Sequence, residues 1–248
     1  MEEHAEKAPH LLEMLERTCR ILEKYFGEYP WIKEKIGLCE TPHLGMEHQT
    51  LIAYGNKFQY TKLGGEDFDW LLNHEFGHEW WGNKVTNSDW AHMWIQEGIC
   101  SYGDALYYRD MEGEASYQAR MREIARSQNS NIPVVRGEEV DSDSAYQGPI
   151  YGKGAFFMHT LRYVIGDAVF FPTLKKLATD PQYTYDQVVQ TSDVEKLFSN
   201  ASGKNLKPLF DFYLYTAQKL EIRVKQTADD KYLLQLINFD SPLPIDIS

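Results

Sequence analysis

The chain has 248 residues, of which 43% are hydrophobic, and this length suits one large domain or one domain with part of a second. Its formal net charge of −12 argues against nucleic acid as a partner, because binding to phosphates needs a basic surface. The three cysteines are odd in number and form no Cys-x-x-Cys pair, which argues against a disulfide framework and a cysteine-based zinc site.

Acidic residues interrupt the leucines of the first twenty positions, a pattern that does not match a signal peptide. No apolar run approaches the roughly 20 residues of a membrane span. We therefore expect a soluble protein. A leader or anchor outside these residues would not be visible, so the compartment, cytoplasmic or periplasmic, stays open.

Hydrophobic periodicity predicts a mainly helical chain with strands near its beginning and its end. An amphipathic helix is predicted near residues 11–26, followed by a strand-like stretch between residues 36 and 54. Later helices are predicted over residues 68–82, 93–111, 114–127, 151–165, 192–203 and 206–218. The polar segment 129–144 reads as a surface loop. From residue 220 the period changes to two, which predicts strands with too little sequence after them to form a stable sheet alone.

The most informative motif is His74-Glu75-Phe76-Gly77-His78, which Glu97 follows after a gap of 18 residues. Positions four apart on an α-helix are offset by only about 40°, so both histidines face one side. Two imidazoles and a carboxylate suit hydrolytic zinc, with a fourth position left for water. The sequence therefore predicts one zinc ion on His74, His78 and Glu97, with Glu75 as the general base. Two incidental surface histidines would not account for the spacing to Glu97.

A further carboxylate, Asp104, follows Glu97 by seven residues and lies about 20° away on the same helical face. Zinc-bound histidines usually donate their second N–H to a carboxylate or carbonyl, which makes Asp104 a candidate to orient a ligand from the second shell. A solvated helix charge explains Asp104 equally well. Asp89 and Asn83 are weaker candidates for the same role.

Taken in order, these motifs resemble the catalytic domain of the aminopeptidase N family of zinc metallopeptidases, the gluzincins that include the leukotriene hydrolases. The family shows Gly-x-Met-Glu-Asn, then the zinc motif, then Trp-x-x-Glu-Gly and Tyr-x-Lys-Gly. Here they stand as Leu44-Gly45-Met46-Glu47-His48, His74 to His78, Trp94-Ile95-Gln96-Glu97-Gly98 and Tyr151-Gly152-Lys153-Gly154. The resemblance covers roughly residues 1–219. It implies an α+β, thermolysin-like fold with a small mixed sheet and a mainly helical subdomain.

The resemblance also assigns roles that spacing alone does not. It implies that Glu47 binds the free α-amine of a substrate, that Gly45 and Met46 belong to the same substrate-binding strand, and that Tyr151 donates a hydrogen bond to the oxyanion. A carboxylate that pairs with the amine would place the first peptide bond over the metal. Without the family, Glu47 reads as an ordinary exposed strand residue and Tyr151 as a core tyrosine. Tyr146 competes with Tyr151 for its role.

Three positions depart from the family pattern: Leu44 and His48 replace a glycine and an asparagine beside the substrate edge, and Gln96 replaces an asparagine. The first two can alter the shape of the first specificity pocket. None of the three is a predicted zinc ligand or the predicted base.

We therefore expect a zinc-dependent aminopeptidase that acts on peptides with a free N-terminus. The alternatives are a zinc hydrolase of another bond, such as an endopeptidase or an epoxide hydrolase, and a peptide-binding fragment with little activity. The last follows because family members carry a β domain before the catalytic domain and usually a helical domain after it. The expected division is a catalytic domain over residues 1–219 and the beginning of a truncated, β-sandwich-like domain over residues 220–248.

Overall fold

The computed structural model describes residues 2–127, 131–229 and 231–244. The α-helices are α1 (Ala8–Phe26), α2 (Trp70–Gly77), α3 (Trp94–Glu112), α4 (Glu114–Ser127), α5 (Ser142–Ala145), α6 (Pro149–Ile165), α7 (Asp167–Thr179), α8 (Thr191–Ser202) and α9 (Lys207–Tyr215). The strands are β1 (Gly37–Glu40), β2 (Gly45–Met46), β3 (Leu51–Tyr54), β4 (Thr61–Leu63), β5 (Glu66–Phe68), β6 (Thr86–Asn87), β7 (Val188–Val189), β8 (Ile222–Ala228) and β9 (Lys231–Leu236). The predicted α+β class, with small sheets and a mainly helical remainder, is confirmed.

The largest sheet has three strands in the order β1-β3-β2 and lies beside α2. Its strand β3 pairs parallel with β1 and antiparallel with β2. The two-residue strand β2 forms one edge, so its outer backbone groups have no neighbouring strand in this sheet. A short edge strand therefore lies next to the helix that carries the histidine motif.

Helix α3 is the centre of the helical part, and it packs against α2, α4 and α6. Its first seven residues, Trp94 to Cys100, are all buried, because neighbouring elements surround the helix on nearly every side. The edge-to-face contact between Trp94 and Phe157, whose ring centroids are 5.5 Å apart, links α3 to α6. Helix α3 thus brings Glu97 into the interior while its neighbours form the walls.

The two motif glycines Gly98 and Gly154 meet where α3 crosses α6. A Cβ atom added to Gly98 would lie 2.9 Å from the Cα of Gly154 and 2.9 Å from the carbonyl oxygen of Ile150. The backbones of the two helices are therefore in direct contact, which a larger residue would prevent. This contact places the first turn of α6, with Tyr151, beside Glu97.

Helix α2, which carries the histidine motif, is shorter than the predicted span 68–82, since it begins after the N-cap Asp69 and ends at Gly77. The chain then turns, and Gly82 adopts a positive φ of 127° that ordinary helices do not contain. The turn buries Trp80 and Trp81 completely, and the indole of Trp80 donates to the carbonyl of Gly27 at 3.0 Å. Burial of these large rings outweighs the helical periodicity that predicted a longer helix.

Helix α7 was not predicted, because Gly166 and the internal Pro172 resemble a break in the pattern. Its buried face offsets the missing proline donor; the buried residues are Phe170, Thr173, Leu174, Leu177 and Ala178. The next helix, α8, closely matches the predicted span 192–203. Gln190 and Asp193 form a capping box at its start, and it ends at Ser202 before the left-handed Gly203.

The predicted strands after residue 220 form the antiparallel hairpin β8–β9. Every residue of β8 is exposed, including Val224 at 59%. The separate domain over residues 220–248 stays a prediction, and residues 230 and 245–248 lie outside the described part of the chain, as do residues 129 and 130 of the predicted loop. Among the described residues, no helix combines the length and the apolar character that a membrane crossing requires.

We expect Gly98→Ala to destabilise the protein by about 1–3 kcal/mol, because the added methyl group would force α3 and α6 apart. Gly103→Ala on the same helix is the matched control, since its Cβ would lie 3.6 Å from the ring of Phe26, an ordinary contact. That control should gain helix propensity and lose little or no stability. Thermal denaturation of both variants tests this, and equal melting temperatures would contradict the packing argument.

Candidate metal and peptidase site

Three side chains converge as a triangle of donor atoms. The Nε2 atom of His74 and that of His78 lie 3.3 Å apart, and each lies 3.2 Å from Oε2 of Glu97. Ligands at zinc bond lengths of 2.0–2.2 Å in a tetrahedron are about 3.3 Å from one another. The donor atoms and their spacing therefore fit three corners of a tetrahedral zinc site.

Neighbouring groups orient His78 and keep Glu97 ionised, as metal binding requires. The backbone carbonyl of Trp81 accepts a hydrogen bond from Nδ1 of His78 at 2.7 Å, which leaves the Nε2 lone pair directed at the triangle. Burial alone would raise the pKa of Glu97, but the adjacent imidazoles of His78 and His74 outweigh it, and the pKa is well below its usual range. Glu97 is thus held as a carboxylate, the form that binds a cation.

Glu75 lies beside the triangle and does not belong to it. Burial raises its pKa above the ordinary range for glutamate, as does the negative charge of Glu47, against the opposing effect of the two histidines. Carboxylate oxygens of Glu47 and Glu75 lie within 4.8 Å of each other and of a ring nitrogen of His78. The structure therefore brings Glu47, the residue least supported by spacing alone, to the same site as the predicted base.

The edge strand β2 is close to helix α2, because Gly45 has no side chain. A Cβ atom there would lie 2.8 Å from the Cδ atom of Glu75 and 2.9 Å from a methyl group of Leu71. Met46 ends the strand and is 40% exposed, and Glu47 follows just outside it. Gly45 is therefore required for the contact between β2 and Glu75.

Tyr151 and Tyr146 both reach the site. The hydroxyl of Tyr151, in the first turn of α6, donates to Oε1 of Glu97 at 3.1 Å. Tyr146 follows the short helix α5, and its ring lies 5.5 Å from that of Trp90. Burial raises the pKa of both phenols, to about 12 for Tyr146, so both are proton donors near neutrality. Tyr151 is the one in contact with a proposed ligand.

Asp104 is buried on α3, and its Oδ1 accepts from Nδ2 of Asn73 at 2.5 Å. Burial raises its pKa, while His74 and Arg120 act in the opposite direction. Asp104 is therefore close enough to influence His74 electrostatically, although its hydrogen bond goes to the residue before that histidine. It is not the solvated helix charge that the sequence alone allowed.

Two residues, Glu79 and Asn83, hold the segment after β2. Sequence spacing does not single out Glu79, and it predicts Asn83 only as a weaker candidate to orient a zinc ligand. Glu79 is fully buried, and its carboxylate accepts from the backbone N–H of Thr50 at 2.9 Å and from Asn83 at 3.3 Å. Asn83 also donates to the backbone carbonyl of Glu47 at 3.0 Å. The signal for Glu79 was a carboxylate directly before two tryptophans in a buried run. These bonds fix the backbone that carries Glu47.

The site opens into a cavity of about 560 Å³, a volume within the range of small-ligand pockets. Strand β2 and helices α2, α3, α4 and α6 form its walls. All nine predicted site residues belong to its lining: Gly45, Met46, Glu47, His74, Glu75, His78, Glu97, Asp104 and Tyr151. Leu44, one of the departures from the family pattern, also lines the cavity and is 56% exposed.

The profile of the peptidase family M1 domain matches residues 10–213. The chain belongs to this family. Aminopeptidase N from Caulobacter vibrioides is 26% identical over 225 residues, which are 84% of this chain and 26% of that protein. The chain therefore spans about a quarter of the length of this curated relative.

Solved M1 structures have the same fold. A mutant M1 zinc metallopeptidase from Deinococcus radiodurans, bound to a Tyr-Ser-Ala substrate, is 25% identical with a TM-score of 0.67, over 83% of this chain and 44% of that one. Aminopeptidase A from Legionella pneumophila, in complex with aspartic acid, is 19% identical with a TM-score of 0.76, over 95% of this chain and 28% of that one. At 19% identity, the similarity to the Legionella enzyme shows a shared fold and nothing further.

We expect Glu97→Gln to lower the zinc affinity of this M1 domain by more than about 100-fold, because even groups that only orient ligands cost 10–100-fold when they are removed. The measurements are zinc content after dialysis and the rise in melting temperature on adding zinc. Glu112→Gln, at the far end of α3, is the control and should bind zinc like the wild type. Equal zinc content in the two variants would contradict the assignment of Glu97 as a ligand.

Proposed function

We propose that this M1 domain is a zinc-dependent aminopeptidase that hydrolyses the first peptide bond of substrates with a free N-terminus. The observation that carries the proposal is the carboxylate of Glu47 within 4.8 Å of Glu75 and His78. A single carboxylate at this position offers an ion pair to an α-ammonium group. An amine bound there leaves room for one residue before the scissile bond reaches the ligand triangle.

His74, His78 and Glu97 would hold the zinc ion. When bound, zinc would polarise the substrate carbonyl and make water a stronger acid at neutral pH. Glu75 would accept the proton of the attacking water and deliver it to the leaving amine. Its buried position, which raises the pKa, suits a group that must both take and return a proton.

Tyr151 would stabilise the negative charge that develops on the carbonyl oxygen, by exchanging its hydrogen bond to Glu97 for one to the substrate. Its high pKa keeps the proton on the phenol, as a donor requires. Gly45 and Met46 would lie along the substrate backbone, because β2 is the edge strand of the sheet that the described strands form. Ion pairing between Glu47 and an α-ammonium group favours substrates with a free N-terminus, so the aminopeptidase is the better supported function.

We expect the zinc-loaded protein to cleave free aminoacyl arylamides at least about 100-fold faster than their N-acetylated forms, because acetylation removes the charge that Glu47 pairs with. Glu47→Gln should lower kcat/KM for the free substrate by about 10-fold to 100-fold. The control is Glu13→Gln on the exposed face of α1, which should leave kcat/KM unchanged. Equal cleavage of free and blocked substrates would rule out the aminopeptidase.

We expect Glu75→Gln, which keeps the shape of the side chain and removes the base, to lower kcat by about 100-fold to 10,000-fold. Zinc content should stay at the wild-type level, because Glu75 is not part of the donor triangle. Metal analysis and turnover measured on the same sample separate the two effects. Near wild-type turnover would mean that another group accepts the proton.

A further inference from the structure

One cationic side chain lines the cavity among four carboxylates. The carboxylates are Glu47, Glu75, Glu97 and Asp104, and the cation is Arg120 on α4. Ile124, one helical turn further along α4, lines the same wall. In a chain with a formal net charge of −12, most of the surface repels an anionic substrate. Arg120 therefore gives one wall of the cavity a positive charge, although the protein as a whole is negatively charged.

The guanidinium of Arg120 has donors to spare. Its Nη1 contacts the exposed Glu123 at 3.2 Å, and its Nη2 lies 4.0 Å from Oδ2 of Asp104, beyond hydrogen-bond distance. Its Nε is buried and has no hydrogen-bond partner among the described residues. Asp104 in turn has a shorter partner in Asn73, at 2.5 Å. Arg120 is thus held by Glu123 and by the ring of Tyr108, whose centroid lies 5.6 Å from its guanidinium carbon, and its two terminal nitrogens carry further N–H groups that can donate to a carboxylate.

The reach from the ligand triangle to Arg120 suits a small substrate. Asp104 lies seven residues after Glu97 on α3, which is about 10 Å along the helix axis. Two extended residues span about 7 Å, and a charged hydrogen bond adds about 3 Å. A carboxylate two residues beyond the scissile carbonyl, or at the end of an acidic side chain, would arrive near the guanidinium.

The direction of β2 agrees with this reach. Glu47 lies near Glu75 and His78, whereas Gly45 packs on Leu71 and Leu44 lines the cavity beyond it. A substrate antiparallel to β2 with its amine at Glu47 would extend toward the N-terminal end of α2. Asn73, which bonds Asp104, lies toward that end, and Arg120 is the cation beside it.

We propose that Arg120 determines substrate specificity by binding a carboxylate of the substrate, so that this site favours short peptides that carry an anionic group within about 7 Å of the scissile carbonyl. The carboxylate is either the side chain of an N-terminal acidic residue or the terminal carboxylate of a short peptide. The inference rests on the proposed aminopeptidase function, and it adds the class of substrate.

The experiment uses the zinc-loaded protein and two matched pairs of substrates. Glutamyl and glutaminyl arylamides differ only in a side-chain charge, and trialanine and trialanine amide differ only in a terminal charge. Turnover is measured as kcat/KM for each substrate. Binding of each is also measured by calorimetry in a Glu75→Gln background, which reports recognition even where turnover is slow.

We expect the charged member of one pair to be favoured by about 10-fold or more, and Arg120→Gln to abolish that preference. The pair that responds identifies the source of the carboxylate. Arg120→Lys should retain part of the preference, because it keeps the charge and loses the fork. The control is Arg122→Gln, at an exposed position on the same helix. It makes the same change in net charge and should retain the full preference for the charged substrate.

The proposal would be overturned if Arg120→Gln left the ratio of kcat/KM between charged and uncharged substrates unchanged for both pairs. If the melting temperature also fell, Arg120 would be a purely structural partner of Asp104. If Arg120→Gln does not fold, the wild type and Arg120→Lys are compared instead. The proposal is then overturned if the wild type shows no preference for the charged substrate of either pair and Arg120→Lys has the same ratios as the wild type. Failure of the proposed function looks different, because the wild type would then turn over none of the four substrates while the binding ratios still report on Arg120.

Discussion

The direct contact between the backbones of α3 and α6 at Gly98 and Gly154 is the constraint on which the site depends. It allows Glu97 and Tyr151, which are 54 residues apart in the chain, to lie within 3.1 Å of each other. A pair of larger residues would separate the helices and move the phenol away from the proposed ligand. Both glycines belong to motifs whose other members carry chemistry, so the same short segments supply the reactive group and the space it needs.

Buried charge is the second constraint. Glu75, Glu79, Glu97 and Asp104 are each at most 7% exposed, and burial of a carboxylate is costly unless partners offset it. Each has a different compensation: Glu97 lies between two imidazoles, Glu79 accepts from Thr50 and Asn83, and Asp104 accepts from Asn73. Burial raises the pKa of Glu75, Glu79 and Asp104 alike. The position of Glu75 beside the ligand triangle, and not its pKa alone, therefore makes it the candidate for proton exchange.

Helix type and position could largely be predicted, because α3, α4 and α6 have periodic apolar residues and clear ends. The errors have identifiable causes. Helix α7 was hidden by Pro172, because a proline inside a helix removes an N–H donor and usually ends the helix, whereas here the buried apolar face offsets that cost. The helix of the histidine motif was predicted too long, since its apolar periodicity continues into the turn that buries Trp80 and Trp81.

For the site, the donor types and their common direction follow from the sequence alone: His74 and His78 are one helical turn apart, and the proposed base Glu75 lies between them. A local repeat is sufficient for this, because helix geometry converts spacing into direction. The tertiary structure decided everything that joins distant segments, namely Glu47 beside Glu75, Glu79 beneath the segment that carries Glu47, and Arg120 at the wall of the cavity. Spacing along the chain contains no information about these contacts, since they depend on how helices and an edge strand pack against one another.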